Sequence, residues 1–158
     1  DALSLVLLDA QEFTQQDYGR LHPAGAIGRA LTMRASDLVR PPERTAMIRQ
    51  GATVREALEQ MTTCRAGSAL IVDAEGKLIG IFTDGDFRRH AQDDMTVLTR
   101  SIESVMSVNP TTVTADSMAV EVLKLVEKRH IDDVPVVDAA GHAIGIVDIQ
   151  DLPGFKLM

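Results

Sequence analysis

The residues able to do chemistry cluster where an apolar run gives way to a polar one. Gly80-Ile81-Phe82-Thr83-Asp84-Gly85-Asp86 reads as a strand that runs into a helix start, with Arg88, Arg89 and His90 in the next turn. Thr83 stands three residues before Asp86, the spacing of a capping box. A helix start offers free backbone N–H groups and the positive end of the helix dipole, which together favour an anion. On that reading Thr83 and the helix end hold a phosphate. Arg88 and Arg89 add charge-assisted contacts, and Asp86 accepts from sugar hydroxyls. From these residues alone, plain capping is the alternative: Thr83 and Asp86 satisfy only the helix, and the arginines face water.

Gly145-Ile146-Val147-Asp148-Ile149-Gln150-Asp151 repeats the pattern with one change of consequence: Asp148 stands where Thr83 does. A carboxylate there would face any phosphate placed equivalently, so this second position suits a phosphate less. Arg129 and His130 are candidates to compensate; the alternative is a cation stabilising a helix C-terminus. His22, in the turn His22-Pro23-Ala24-Gly25, could act as an acid or base near neutral pH, the alternative being an exposed loop histidine. Cys64 reads as a buried structural thiol. No metal-ligand spacing and no nucleophile elbow occur in the sequence.

The elements that must position these residues come in two copies. A shift of 65 lays Val72–Asp86 on Val137–Asp151, and eight of the fifteen positions are identical; chance would match about one in fifteen. Each copy reads as a β-α-β-β-α unit. Thr53-Val54-Arg55-Glu56 is a capping box, and Val54, Ala57, Leu58 and Met61 form an apolar helical stripe behind it. Ala119, Val122, Leu123 and Val126 repeat the stripe, with Asp116 or Ser117 as cap. Both stripes are natural association surfaces for a second copy. Short strands Ala69–Val72 and Val134–Val137 lead into Asp-x-x-Gly turns, and second strands return at 78–82 and 143–147. The expected division is 1–35 as a leader with one or two short helices, 36–100 as unit 1 and 101–158 as unit 2. A unit of this size buries a poor core alone, so the two should pack as a pseudo-two-fold pair in an α/β fold.

Composition narrows the class. The chain has 158 residues, 45% hydrophobic and 25% charged, as a folded domain requires. No apolar run approaches the length of a membrane span. A net charge of −7 and 3% aromatics argue against nucleic-acid binding. One cysteine excludes an internal disulfide and fits a cytoplasmic setting. The start at Asp1, without Met, leads us to expect a piece of a longer chain.

These motifs resemble a tandem CBS domain pair. Residues 80–86 are similar to its G-h-h-[ST]-x-x-D signature, and Val134-Pro135-Val136-Val137-Asp138 to its h-P-h-h-D strand; Leu70 replaces the proline in unit 1. The resemblance spans about 36–158 and implies an adenosine nucleotide or related ligand in the cleft between the units, at Thr83, Asp86, Arg88, Arg89 and Asp151, with Arg129 and His130 nearby. The leader stretch Gly19–Arg29 resembles the end of the sugar isomerase (SIS) domain of arabinose-5-phosphate isomerases, and Phe82–Arg89 resembles that family's first CBS motif. Those enzymes interconvert ribulose 5-phosphate and arabinose 5-phosphate on the way to the lipopolysaccharide sugar Kdo. The resemblance places His22 on an active-site histidine of the parent enzyme. It implies a regulatory fragment without cofactor, a homodimer of CBS pairs, and CMP-Kdo as a second effector candidate.

Overall fold

The computed structural model describes residues 32–151. The expected leader helices, His22 and the residues after Asp151 lie outside them.

Unit 1 opens with strand β1 (Ala46–Arg49), followed by helix α1 (Val54–Cys64), β2 (Ser68–Val72), β3 (Leu78–Thr83) and helix α2 (Asp84–Asp93). Strand β4 (Ser107–Val108) completes its sheet, in the order β1-β2-β3-β4. β1 runs parallel to β2 with α1 as the crossover, and β2 and β3 form an antiparallel hairpin. Unit 2 repeats this with β5 (Val113–Thr114), α3 (Ala119–Arg129), β6 (Asp133–Val137) and β7 (Ala143–Asp148), in a sheet ordered β5-β6-β7. The described part ends in a 3₁₀ turn, Ile149–Asp151, where unit 1 has α2.

Local chemistry sets the element ends. Thr53 caps α1: its hydroxyl accepts from the Glu56 N–H, and the Glu56 carboxylate accepts from the Thr53 N–H. The cap of α3 is neither Asp116 nor Ser117 but Met118. Its side chain makes no capping hydrogen bond; the Glu121 carboxylate accepts from the Met118 N–H, while the Ser117 hydroxyl accepts from the Thr114 N–H. The hairpin turns are a matched pair. Asp73 accepts from the N–H groups of Glu75 and Lys77, and Asp138 from those of Ala140 and His142. Gly76 and Gly141 take φ of 87° and 88°, which residues with a Cβ rarely adopt.

The helix stripes face inward. Val54, Ala57 and Met61 pack with Ile71, Phe82 and Val97, and Ala119 and Val122 with Val134, Val136 and Val147. Val54, Ala57, Met61, Ala119, Val122 and Leu123 are thereby buried within their units, whereas Leu58 and Val126 of the same stripes are half-buried. The units meet through a third cluster, Leu70, Ile81 and Ile146. Across the same axis the hairpins join, with Leu78 N–H donating to Gly141 O and Ala143 N–H to Gly76 O.

The segments that precede each unit are exchanged. The turn Ala35–Asp37, on the unit 1 side of the sequence, sits in the core of unit 2, where Ala35 and Leu38 lie among Ala119, Val122 and Val134. The equivalent turn, Ile102–Ser104, sits in the core of unit 1 with Val105. Hydrogen bonds repeat in kind: Ala35 N–H to Ser117 O and Ala119 N–H to Met33 O on one side, Ile102 N–H to Ala52 O and Val54 N–H to Arg100 O on the other. Each exchanged segment then presses a side chain onto a strand glycine. A Cβ on Gly80 would stand 2.4 Å from Met106 Sδ, and one on Gly145 2.5 Å from Val39 Cγ1.

These two contacts differ in their ability to yield. Val39 is stiff at χ1, whereas Met106 has three rotatable bonds. Gly145→Ala is therefore expected to lower stability by about 1–3 kcal/mol and Gly80→Ala by less. Val39→Ala added to Gly145→Ala should recover part of the loss. Urea unfolding of the four proteins checks the order.

Candidate ligand cleft between the two units

Pseudo-symmetry brings the ends of β3 and β7, both turns that follow them, and the exchanged segments to one place. They enclose an open cleft of about 610 Å³.

On the unit 1 side the capping box is formed as its spacing predicts. The Thr83 hydroxyl accepts from the Asp86 N–H at 3.1 Å and donates to the Asp86 carboxylate at 2.8 Å, which also accepts the Thr83 N–H at 2.9 Å. Asp86 is 5% exposed, and Arg89 donates to its other oxygen at 2.5 Å. Thr83, Asp86, Arg88 and Arg89 all line the cleft, and the two arginines are exposed. The structure adds Arg65 to this wall. It ends α1 in the left-handed region, at φ 51°. Sequence reasoning flagged His130, the residue at the same repeat position, and overlooked Arg65; the shift of 65 that aligns the units was enough to find it.

On the unit 2 side the wall is acidic. Asp133 and Asp148 are opposed in register on β6 and β7, where unit 1 has Ser68 and Thr83. Asp132, Asp133 and Asp148 line the cleft, and so does Arg40, which arrives from the exchanged segment. Arg40 is 7% exposed; it pairs with Asp148 at 2.6 Å and Asp151 at 2.5 Å. Arg44 reaches Asp151 at 3.3 Å. The structure thus places Asp151 beneath two arginines of its own chain rather than among the cleft walls. Arg129 and His130 are exposed at the end of α3 and do not line the cleft; His130 is the left-handed cap there, at φ 53°.

These arrangements shift protons. Burial, then the neighbouring Asp148 carboxylate, pushes Asp133 up to about 6, against the opposing influence of Ser68 and Arg40. Its Oδ1 is buried without a hydrogen-bond partner. Asp151 lies below the usual carboxylate range, chiefly through its hydrogen bond from Arg40. For Arg40, burial opposes the charge, but Asp151, Asp148 and Asp133 outweigh it and raise its pKa. No group of three or more His, Cys, Asp or Glu among the described residues is placed to hold a metal ion. No helix there is long and apolar enough to cross a membrane.

A family model for the CBS domain matches this chain twice, over residues 35–93 and 102–152. The chain belongs to the CBS domain family. The two matches fall on the two units and make them a CBS pair. The chain is 38% identical over 152 residues to arabinose 5-phosphate isomerase KdsD of Pseudomonas aeruginosa, an alignment covering 96% of this chain and 47% of the relative. With KdsD of Escherichia coli the figures are 37% identity, 96% and 46%. The chain therefore spans just under half the length of these relatives. Among solved structures, the CBS domain pair of protein MJ0100, in complex with 5′-methylthioadenosine and S-adenosyl-L-methionine, aligns at TM-score 0.67 with 28% identity. That alignment covers 76% of this chain and 92% of the other.

The shifted Asp133 makes stability depend on pH in a defined direction. A carboxyl raised in the folded state binds its proton more tightly there than in the unfolded chain. It favours folding below the unfolded value, and this contribution is lost as pH rises from about 4 to about 6. Asp133→Asn is expected to flatten that descent and, at pH 7, to be more stable than wild type by about 1–3 kcal/mol. Thermal melts of both proteins between pH 4 and 7 measure it.

Proposed function

We propose that this CBS pair is the regulatory part of an arabinose-5-phosphate isomerase and that its cleft binds a nucleotide or nucleotide-sugar effector. The observation that carries the ligand reading is the unit 1 wall. It places a neutral hydroxyl (Thr83), the start of α2 and three arginines (Arg65, Arg88 and Arg89) around one open space. A hydroxyl and backbone N–H groups can donate to a phosphate without charge conflict, and arginines add charge-assisted hydrogen bonds. The Asp86 carboxylate, held in place by Thr83 and Arg89, retains lone pairs for neutral sugar hydroxyls. The adenosine-derived ligands of the MJ0100 pair support an adenosine nucleotide. The match to KdsD supports CMP-Kdo as the alternative, since feedback by a later product on an early isomerisation is chemically reasonable.

Calorimetry with AMP, ATP and CMP-Kdo tests the reading. At least one should bind saturably below about 1 mM. Asp86→Ala should weaken it about tenfold to a hundredfold, the equivalent of about 1.5–3 kcal/mol for a lost hydrogen bond to a charged group. A cooperative melt of the variant separates lost binding from lost fold, because Asp86 also serves the start of α2. If none binds, the pair is an architectural module that holds subunits together without ligand.

The proposal extends to the whole protein. The catalytic chemistry belongs to the remainder of the parent enzyme, with His22 contributing there, in the cytoplasm. This chain alone should not turn over ribulose 5-phosphate, because one histidine cannot both place a substrate and move a proton between carbons. Turnover by the purified chain above a His22→Ala control would refute it. We assign the homodimer of pairs to the α1 and α3 side of each unit, where Leu58 and Val126 stay half-buried, and light scattering reads the association: a monomer at working concentration refutes it.

A further inference from the structure

The unit 2 half of the cleft already contains a charged group supplied by the chain itself. The exchanged segments fix which residues are equivalent. Val39 presses on Gly145 as Met106 presses on Gly80, so the next residues, Arg40 and Ser107, occupy matching places. Backbone pairing agrees: Arg40 N–H donates to Ile146 O, and Ser107 lies in register with Ile81, the residue equivalent to Ile146. Both Arg40 and Ser107 line the cleft.

Asp132 stands where unit 1 has Gly67, and three further matched positions set the charge pattern of each half. Unit 1 has Ser68, Thr83 and Ser107; unit 2 has Asp133, Asp148 and Arg40. The first set is neutral, small and able to donate. The second is a nearly buried ion pair, with the Arg40 guanidinium 2.6 Å from Asp148, in the space that a ligand would need. Asp148 cannot be both the counter-ion of Arg40 and a neighbour of a phosphate. Arg40 cannot turn to an incoming anion without leaving the buried Asp148 carboxylate without its counter-ion and taking one of two arginines from Asp151.

We infer that Arg40 is a resident counter-ion that closes the unit 2 half of the cleft, so that the pair takes one anionic ligand, on the unit 1 side, rather than two. This rests on the nucleotide reading above and adds to it the stoichiometry and the residue that sets it. It also places the ligand beside the segment that joins the pair to the residues before it, because Arg40 lines the same cleft.

The test gives unit 2 the residues of unit 1, in the triple variant Arg40→Ser, Asp133→Ser, Asp148→Thr. Equilibrium dialysis with AMP should give one molecule per chain for wild type and two for the variant, with a cooperative melt showing that the variant is folded. Two molecules on wild type, or one on the folded variant, overturns the inference. Titration of wild type with inorganic pyrophosphate, followed by amide NMR shifts, separates this from the nucleotide reading. Shifts at residues 83–88 alone sustain the inference even where no nucleotide binds. Shifts that extend to 148–151, or that are absent from 83–88, overturn it.

Discussion

The structure depends on the exchange of the two opening turns. Ala35 and Leu38 fill the core of unit 2, and Ile102 and Val105 fill that of unit 1, so neither core is closed by the unit whose sequence it follows. A unit of roughly sixty residues buries too little surface to be stable by a wide margin. Here each lacks a piece of its core as well. The remedy is mutual: two glycines, Gly80 and Gly145, open a hole in each sheet, and Met106 and Val39 fill them from the other segment. The pair is consequently one folding entity, and the apolar contact of Leu70, Ile81 and Ile146 between the sheets is reinforced by backbone bonds at the hairpin tips.

The exchange also builds the cleft. The residue after each plug is carried over the mouth between the units, so Ser107 and Arg40 become walls through no property of their own. Arg40 and Asp148 are then both nearly dry. Burying such a pair is seldom a gain over apolar packing, and breaking it is costly because one charge is left without a partner. A pair of this kind is better understood as a device that fixes position. Arg40 is fastened to Asp148 and Asp151, and with it the segment that enters the pair.

Much of this was legible in the residues. The repeat, the capping boxes at Thr53 and Thr83, both Asp-x-x-Gly turns and the apolar helix stripes follow from short-range rules, and the structure contains them; that the stripes pack chiefly into their own units does not follow from such rules. The α3 cap was misplaced because Asp116 and Ser117 have good capping side chains, yet Ser117 is bonded to Thr114 and the Glu121 carboxylate alone supports the helix start. The exchange left no mark in local pattern, since a 3₁₀ turn with Ala35 and Leu38 looks the same whichever core receives it. Arg40 was hidden for that reason: it is remote in sequence from Asp148 and Asp151, and only the fold reveals it as their partner. Arg65 was hidden by a preference for glycine or asparagine at left-handed helix ends.

The divergence of the two halves has a physical explanation in what capping requires. A position that starts a helix or turn needs an oxygen able to accept an N–H, and a hydroxyl or a carboxylate serves equally. Thr83 accepts from Asp86 N–H, and Asp148 accepts from Gln150 N–H at 2.8 Å, so the local fold survives the exchange of one for the other. A phosphate distinguishes them sharply, because a hydroxyl can also donate while an ionised carboxylate can only accept and repels the anion. The structural role of this position is thus served by either residue, while the two differ in what they offer a phosphate. An aspartate at 148 favours a cation close by, and the exchanged segment supplies it in Arg40. The capping requirement thus preserved symmetry in the backbone and left the charge pattern of the cleft free to become unequal.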